Sequence, residues 1–341
     1  MPYAPFSNDN WTEEAVLKWE KKRQDIISNW DLFLMQKGDG FEIKRYKNAE
    51  GGQIRWHVDV NAPTVIPGGY PKADYAYPVF RHATHATLNF VPFSEPCFIP
   101  AEELDLLGAN SDAEIDLKVH HYQRAERTMV ETINQQIWNG TGIVPGQLTG
   151  LDSGIDNAAG TNIYAGINRT TYPRWQANVD ATGFALWYGT VATNIFPLWV
   201  RSQVAGIKPD LMACAMTPLS AFVHMAANRQ VSHEVPAQPV ALGLYTPKMY
   251  ILGMRVVWGG DNMPAGENGN DIFGIRSDGI AIQYVGRSWI MTEPWRPYQG
   301  NDGQYMNIRS HCQFQVYNPE NHFRIRDMTV PDDPTENPSE S

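Results

Sequence analysis

Hydrophobic and polar positions change period several times along this 341-residue chain, and each change marks an element. Between Trp11 and Lys37 the apolar residues Val16, Trp19, Ile26, Trp30 and Phe33 recur among Glu13, Lys18, Lys22, Arg23 and Asp25. That spacing predicts an amphipathic helix ended by Gly38. Period two follows: Ile54, Trp56, Val58 and Val60 alternate with Arg55, His57 and Asp59, the pattern of a strand with one dry and one wet face. A stretch rich in proline and glycine, Pro63 to Pro78, then gives way to an extended return from Val79 to Val91, so a long hairpin with a broad tip is expected. Ser111 and Glu114 form a capping-box pair ahead of Ile115, Val119, Tyr122, Met129, Ile133 and Ile137, which hold helical spacing as far as Asn139-Gly140. A helix over 111–139 extends roughly 40 Å at the standard rise, long for a compact enzyme and natural for a strut.

The second half alternates short apolar runs with turns. Gly140 to Gly166 reads as loop, Phe184 to Gln203 as an apolar helix and Leu211 to Ala215 as a buried strand, after which Thr217 as N-cap and Pro218 start another helix through Met225. Tyr250 to Trp258 and Gly279 to Val285 read as strands of one hairpin, with Gly259 to Asp271 as its tip. Cys312, Phe314 and Val316 alternate with Gln313 and Gln315, and Phe323 and Ile325 with Arg324 and Arg326, so the chain closes on strands; Pro331 to Ser341 is acidic, proline-rich and expected to be disordered. The uncharged run Gly183 to Val200 approaches the length of a membrane span, but Gly189, Thr190, Thr193, Asn194 and Pro197 favour a buried core helix.

Composition narrows the function. The excess of 37 acidic over 27 basic side chains, a formal charge of -10, argues against a general affinity for phosphate backbones. Cys97, Cys214 and Cys312 are far apart and read as buried free thiols of a reducing compartment, and Met1 to Asn10 lacks the pattern of a secretory signal. Candidate chemistry fails on spacing. His82 and His85 point to opposite faces of a strand, His120 and His121 diverge on a helix, and His233-Glu234 has Ala237 where a zinc-protease motif needs its second histidine. Ser153 lacks the flanking glycines of a nucleophile elbow, no phosphate-binding loop occurs, and Glu102, Glu103 and Asp105 read as a solvated acidic turn. No catalytic residue, cofactor or metal is expected. Trp187, Trp199 and Phe222 are assigned to the core, whereas Trp56, Tyr70, Tyr75 and Tyr77, on a hairpin too extended to bury them, have the character of interface residues.

The segment Tyr164 to Gln176, with Gly166-Ile167-Asn168-Arg169-Thr170-Thr171-Tyr172-Pro173-Arg174-Trp175 at its centre, resembles a signature of tailed-bacteriophage major capsid proteins. The resemblance implies an α+β fold of the type named after phage Hong Kong ninety-seven. It divides the chain into an N-terminal arm (1–50), an extended loop hairpin (51–100), a peripheral domain with a spine helix (101–182), an axial domain (183–303), returning peripheral strands (304–328) and an acidic tail (329–341). It further implies a non-enzymatic subunit that assembles itself into hexamers and pentamers of an icosahedral head around double-stranded DNA, built in the host cytoplasm. Portal and decoration proteins are expected partners, and the short stretch ahead of the hairpin implies a separate scaffolding protein. Membrane contact is not expected, and packaged DNA should be touched only weakly. Candidate assembly contacts are Trp56, Tyr70, Lys72, Tyr75, Tyr77, Arg81, Arg169, Tyr172, Arg174 and Trp175; for the signature segment an internal turn pinned by its aromatics, with Trp175 buried, is equally compatible with the family. The hairpin is expected to lie over a neighbouring subunit, with Arg55, Arg81, Arg169 and Arg174 meeting acids there. Covalent cross-linking is not carried over, Lys72 being merely the one lysine of the tip. The alternatives are a nanocompartment shell of the same fold and a cytoplasmic hydrolase.

Overall fold

The computed structural model describes residues 42–46, 52–59, 83–106, 111–204, 206–228, 249–259, 263, 270–298 and 303–331. The helix expected from Trp11 to Lys37, the hairpin tip and the acidic tail lie outside them. In chain order the first strands are β1 (Glu42–Arg45), β2 (Gln53–Asp59), β3 (Ala83–Asn89) and β4 (Val91–Pro100), followed by helices α1 (Ala101–Leu106) and α2 (Ser111–Asn139). Then come β5 (Ile163–Tyr164), β6 (Ile167–Asn168), β7 (Asn178–Asp180), β8 (Leu211–Cys214), helix α3 (Met216–Asn228), β9 (Met249–Ile251), β10 (Met254–Trp258) and β11 (Ile272–Ile275). The last strands are β12 (Ile280–Tyr284), β13 (Met291–Thr292), β14 (Arg296–Pro297), β15 (Gly303–Val316) and β16 (Phe323–Ile325).

The 14-residue β15 organises the first sheet. Antiparallel β4 runs along it from Gly303↔Pro100 to Cys312↔Val91, while β12, β13 and β14 pair with its other edge and β1 closes the sheet parallel to β12. The second sheet has the order β7-β16-β11-β8-β10-β9. In β8 every residue is buried: Leu211 and Ala213 face the larger core, Met212 and Cys214 the smaller one with Phe222 and Met225 of α3. A strand covered on both faces needs an unbroken apolar run, which is what Leu211 to Cys214 supplies. At Gly274 of β11 any Cβ would run into the ring of Phe323 on the paired β16, so only glycine lets that ring lie on the strand.

Helix α2 buries two adjacent i, i+4 rows, Ala125-Met129-Ile133-Ile137 and Glu126-Val130-Asn134-Trp138, all in its second half. Trp138 packs on Phe273 of β11, with ring centroids 5.7 Å apart. The apolar run after Gly183 is helical over Tyr188–Thr190, widens into a π turn over Val191–Ile195 and resumes over Phe196–Arg201. The irregular turn lies just before Pro197, whose ring and missing N–H a regular ladder does not accommodate. Among the described residues no helix is long and apolar enough to cross a membrane.

The structure corrects several expectations. The return strand ends at Asn89, and 91–100 belongs to the first sheet rather than to a projecting loop. The described part of the β2–β3 hairpin does not stand clear of its subunit, because Ile54, Val58, Ala86 and Leu88 are buried in the larger core. Residues 250–258 and 279–285 do not pair with each other: β10 lies between β8 and β9, and β12 joins β15. The short run Ile272 to Ile275, hidden behind a loop-like sequence, is the missing strand. Finally, β15 and β16 close different sheets although only six residues separate Val316 from Phe323.

Candidate assembly surface

The signature segment folds as a clasp inside the subunit. Strands β5 and β6 form a tight hairpin in which Ala165 (φ 51°) and Gly166 (φ 77°) both adopt the left-handed conformation of a two-residue turn. The Ala165 carbonyl accepts the Thr87 N–H of β3 at 2.9 Å. Arg169, entirely buried, donates from Nε to the Trp175 carbonyl (3.1 Å), from Nη1 to that of Thr161 (2.7 Å), and from Nη2 to those of Ser153 (2.9 Å) and Gly154 (2.8 Å). Burial pulls its guanidinium down to about 10, opposed by Asp156, so the group remains a cation at neutral pH. The Trp175 indole donates to the Tyr164 carbonyl (3.0 Å) and stacks on the Tyr164 ring at 5.8 Å, while the Tyr164 hydroxyl accepts the Val316 N–H (2.8 Å). Trp56 completes the contact from the β2 side, 6.4 Å from the rings of both Trp175 and Tyr317. The segment thus ties the loop after α2 to β15 and to the hairpin.

A second buried cation holds β16. Arg324 donates from Nε and Nη2 to Asp271 Oδ2 (3.1 and 2.7 Å), lies 2.6 Å from Asp152 Oδ1 and stacks 4.9 Å from the Phe273 ring centroid. Burial pushes the Asp271 carboxyl up, and Arg324 opposes the shift. Nearby, Ser277 donates its N–H (2.7 Å) and its hydroxyl to Asp210, whereas His322 accepts the Arg276 N–H at Nδ1 (3.2 Å). The hydroxyl therefore faces a carboxylate and not the imidazole, which complete burial pulls down to about 3 and keeps neutral. Burial pushes the Cys97 thiol up to about 11 and those of Cys214 and Cys312 to about 12, which removes their thiolate character. Among the described residues no group of three or more His, Cys, Asp or Glu side chains is arranged to hold a metal.

Outside the clasp, apolar side chains face solvent. Ile143 is 81% exposed and, with Val144, Ile163, Thr87, Phe90 and Pro92, lines a cleft of about 410 Å³ between the loop after α2, the β3–β4 junction and the β5–β6 hairpin. Tyr188, Phe196 and Val200 project from the helical segment over the second sheet.

No protein-family model and no curated protein matches the sequence. Solved structures do match. The capsid of an empty GTA particle superposes with a TM-score of 0.51 at 13% identity, over 85% of this chain and 88% of that one. An encapsulin, from the holo-SrpI complex of Synechococcus elongatus PCC 7942, gives 0.50 at 11% identity over 89% of each chain. A chain of Mycobacterium phage Adephagia gives 0.50 at 11% identity over 85% and 88%. The chain has the Hong Kong ninety-seven-type shell fold. Within it, the residues singled out from sequence separate into three groups. Arg169 and Trp175 are buried in their own subunit, and a side chain with no surface cannot meet a neighbour, so the interface reading of these two is corrected in favour of the internal turn. Trp56, half-buried against Trp175 and Tyr317, is likewise turned toward its own core, and Tyr172 is half-buried against the same core. Arg174 and Arg55 are exposed; Tyr70, Lys72, Tyr75, Tyr77 and Arg81 lie outside the described residues. The exposed trio Ile143, Val144 and Ile163 was missed, since in a loop-like sequence isolated apolar residues give no periodic signal.

Proposed function

We propose that the chain is the major capsid protein of a tailed phage, self-assembling into the hexamers and pentamers of an icosahedral head that encloses double-stranded DNA. The observation that carries this reading is the shared fold over 85% of the chain with the capsid of the GTA particle. The exposed apolar side chains Ile143, Val144 and Ile163 at the mixed polar and apolar cleft, with Tyr188, Phe196 and Val200 of the helical segment, add to it as candidate contact residues. In this reading 1–50 is the arm, α2 the spine of a peripheral domain that also takes in β4 and 280–316, and β8 to β11 with α3 the body of the axial domain. A portal and a separate scaffolding protein are the expected partners, assembly takes place in the host cytoplasm, and the subunit has no catalytic role. The net charge of -10 suits a wall that confines DNA without gripping it. The encapsulin match supports an enzyme-filled shell nearly as well by geometry, and the contents of the particle separate the two readings.

The test is electron microscopy and sedimentation of the expressed chain, alone and with its neighbouring genes. Shells enclosing nuclease-protected duplex DNA are expected. The double substitution Ile143→Asp, Val144→Asp should leave a folded subunit that no longer forms shells. A chain that stays monomeric under every assembly condition overturns the proposal, and protein-filled shells without DNA select the nanocompartment.

A further inference from the structure

We propose that the β2–β3 hairpin carries a two-histidine site for a divalent transition-metal ion of the Ni²⁺ or Cu²⁺ class, formed by His57 and His85. The two residues are directly opposite in the antiparallel register. Phe90 donates its N–H to the Gly52 carbonyl, which makes 52/90 a hydrogen-bonded pair; counting along the ladder, 57/85 falls on a non-hydrogen-bonded pair, where facing side chains stand closest. The outward direction of the Arg55 and Thr87 amides, bonded to the Tyr46 hydroxyl and the Ala165 carbonyl, agrees with that phase. Both imidazoles lie on the exposed face, 4.3 Å apart between ring centroids and inclined at 51°, and no hydrogen bond engages either among the described residues.

That separation has a chemical meaning. With a metal–nitrogen bond of about 2.0–2.1 Å and a ring centre about 1.1 Å further along the same line, two imidazoles at right angles on one ion have centroids about 4.5 Å apart, against about 5.2 Å at the tetrahedral angle. The observed 4.3 Å is therefore close to the cis arrangement of square-planar or octahedral ions, the geometry of Cu²⁺ and Ni²⁺ nitrogen sites. Among the described residues no third protein ligand stands close enough to join, and Asp59, one pair further along the same face, can bond to a water on the ion. An ion held by both strands clips the hairpin at the root of the segment 60–82. The sequence offers His82 as the partner of His85; strand pairing supplies His57 instead.

The experiment titrates the unassembled full-length chain with Ni²⁺ and follows amide hydrogen exchange in 53–59 and 83–89. If the ion binds only the closed hairpin, exchange there slows about a hundredfold when free Ni²⁺ is a hundred times its dissociation constant. His57→Asn and His85→Asn should each weaken binding at least tenfold and cut the slowing at the same Ni²⁺ concentration to about tenfold or less, while leaving exchange in metal-free protein unchanged because both side chains are exposed. The pair His120 and His121, whose rings are 6.0 Å apart, is the control, and its double Asn variant should behave as wild type. Exchange that does not respond to Ni²⁺, or a response that is undiminished in either His57→Asn or His85→Asn, overturns the proposal.

Discussion

Arg169 and Arg324 are both buried cations, yet the chain neutralises them in opposite ways. Arg324 meets two carboxylates, Asp271 and Asp152, and an aromatic face. Arg169 has four carbonyl oxygens from three stretches of chain and, among the described residues, no carboxylate in its bonds, Asp156 acting only through the field. An ion pair can be replaced as a pair, because removing both partners leaves nothing stranded. A carbonyl cage cannot, since its acceptors belong to the backbone and survive any substitution. The first arrangement holds one strand in place; the second dictates the path of a loop.

Substitution tests this contrast directly. Arg169→Met strands four acceptors, and at about 1–3 kcal/mol for each, with partial relaxation, a loss of ~4–6 kcal/mol is expected in urea unfolding, with the same value at pH 6 and pH 8. Arg169→Lys should recover only a minor part, for an ammonium cannot reach carbonyls placed for a planar fork. Arg324→Met should cost ~3–5 kcal/mol at neutral pH by leaving Asp271 buried and unpaired. Its cost must depend on pH: the stranded carboxyl has a raised folded pKa, the folded state then binds the extra proton, and the penalty shrinks as pH falls toward 5. Adding Asp271→Asn should restore at least half of the loss, whereas no single companion change should rescue Arg169→Met.

His322 supplies a third, titrating case. Its folded value of about 3 lies below the ordinary imidazole range, so between about pH 6.5 and 3 the unfolded chain binds the proton first and stability falls with acidity. A loss of ~3 kcal/mol by pH 4 is expected, from 1.36 kcal/mol per unit. His322→Asn, which keeps an acceptor for the Arg276 N–H, should flatten that part of the curve. The smallest effect belongs to an exposed pair. Arg127 and Glu131, one helical turn apart at 2.9 Å, are more than half exposed, and Arg127→Ala should change stability by less than ~0.5 kcal/mol.

Helix α2 and strand β8 were legible because each carries its own signal: caps and a 3.6-residue period in one, an unbroken apolar run in the other. What the sequence hides is pairing. Gln313 and Gln315 alternate with apolar residues as a wet face does, yet Gln313 is buried, accepting the Thr149 N–H (3.0 Å) and donating to the Asn89 carbonyl (2.8 Å). Arg169 reads as a surface cation because arginine usually is one; only the folded loop converges four carbonyls on it. The facing histidines are invisible for the same reason, since 28 positions separate them until the strands are in register.

The long pairing of β4 with β15 has a consequence in time. Its partners lie about 200 residues apart, and at ~5–20 residues per second a ribosome needs ~10–40 s to deliver Gly303 after Pro100 has emerged. Throughout that interval β4 lacks the neighbour that completes its hydrogen bonds, and Cys97 and Ile99, both buried in the finished subunit, are without the strand that covers them. Productive synthesis then depends on whatever shields that edge in the cell. Nascent chains stalled between residues 150 and 280 should be the species that chaperones hold and proteases cut.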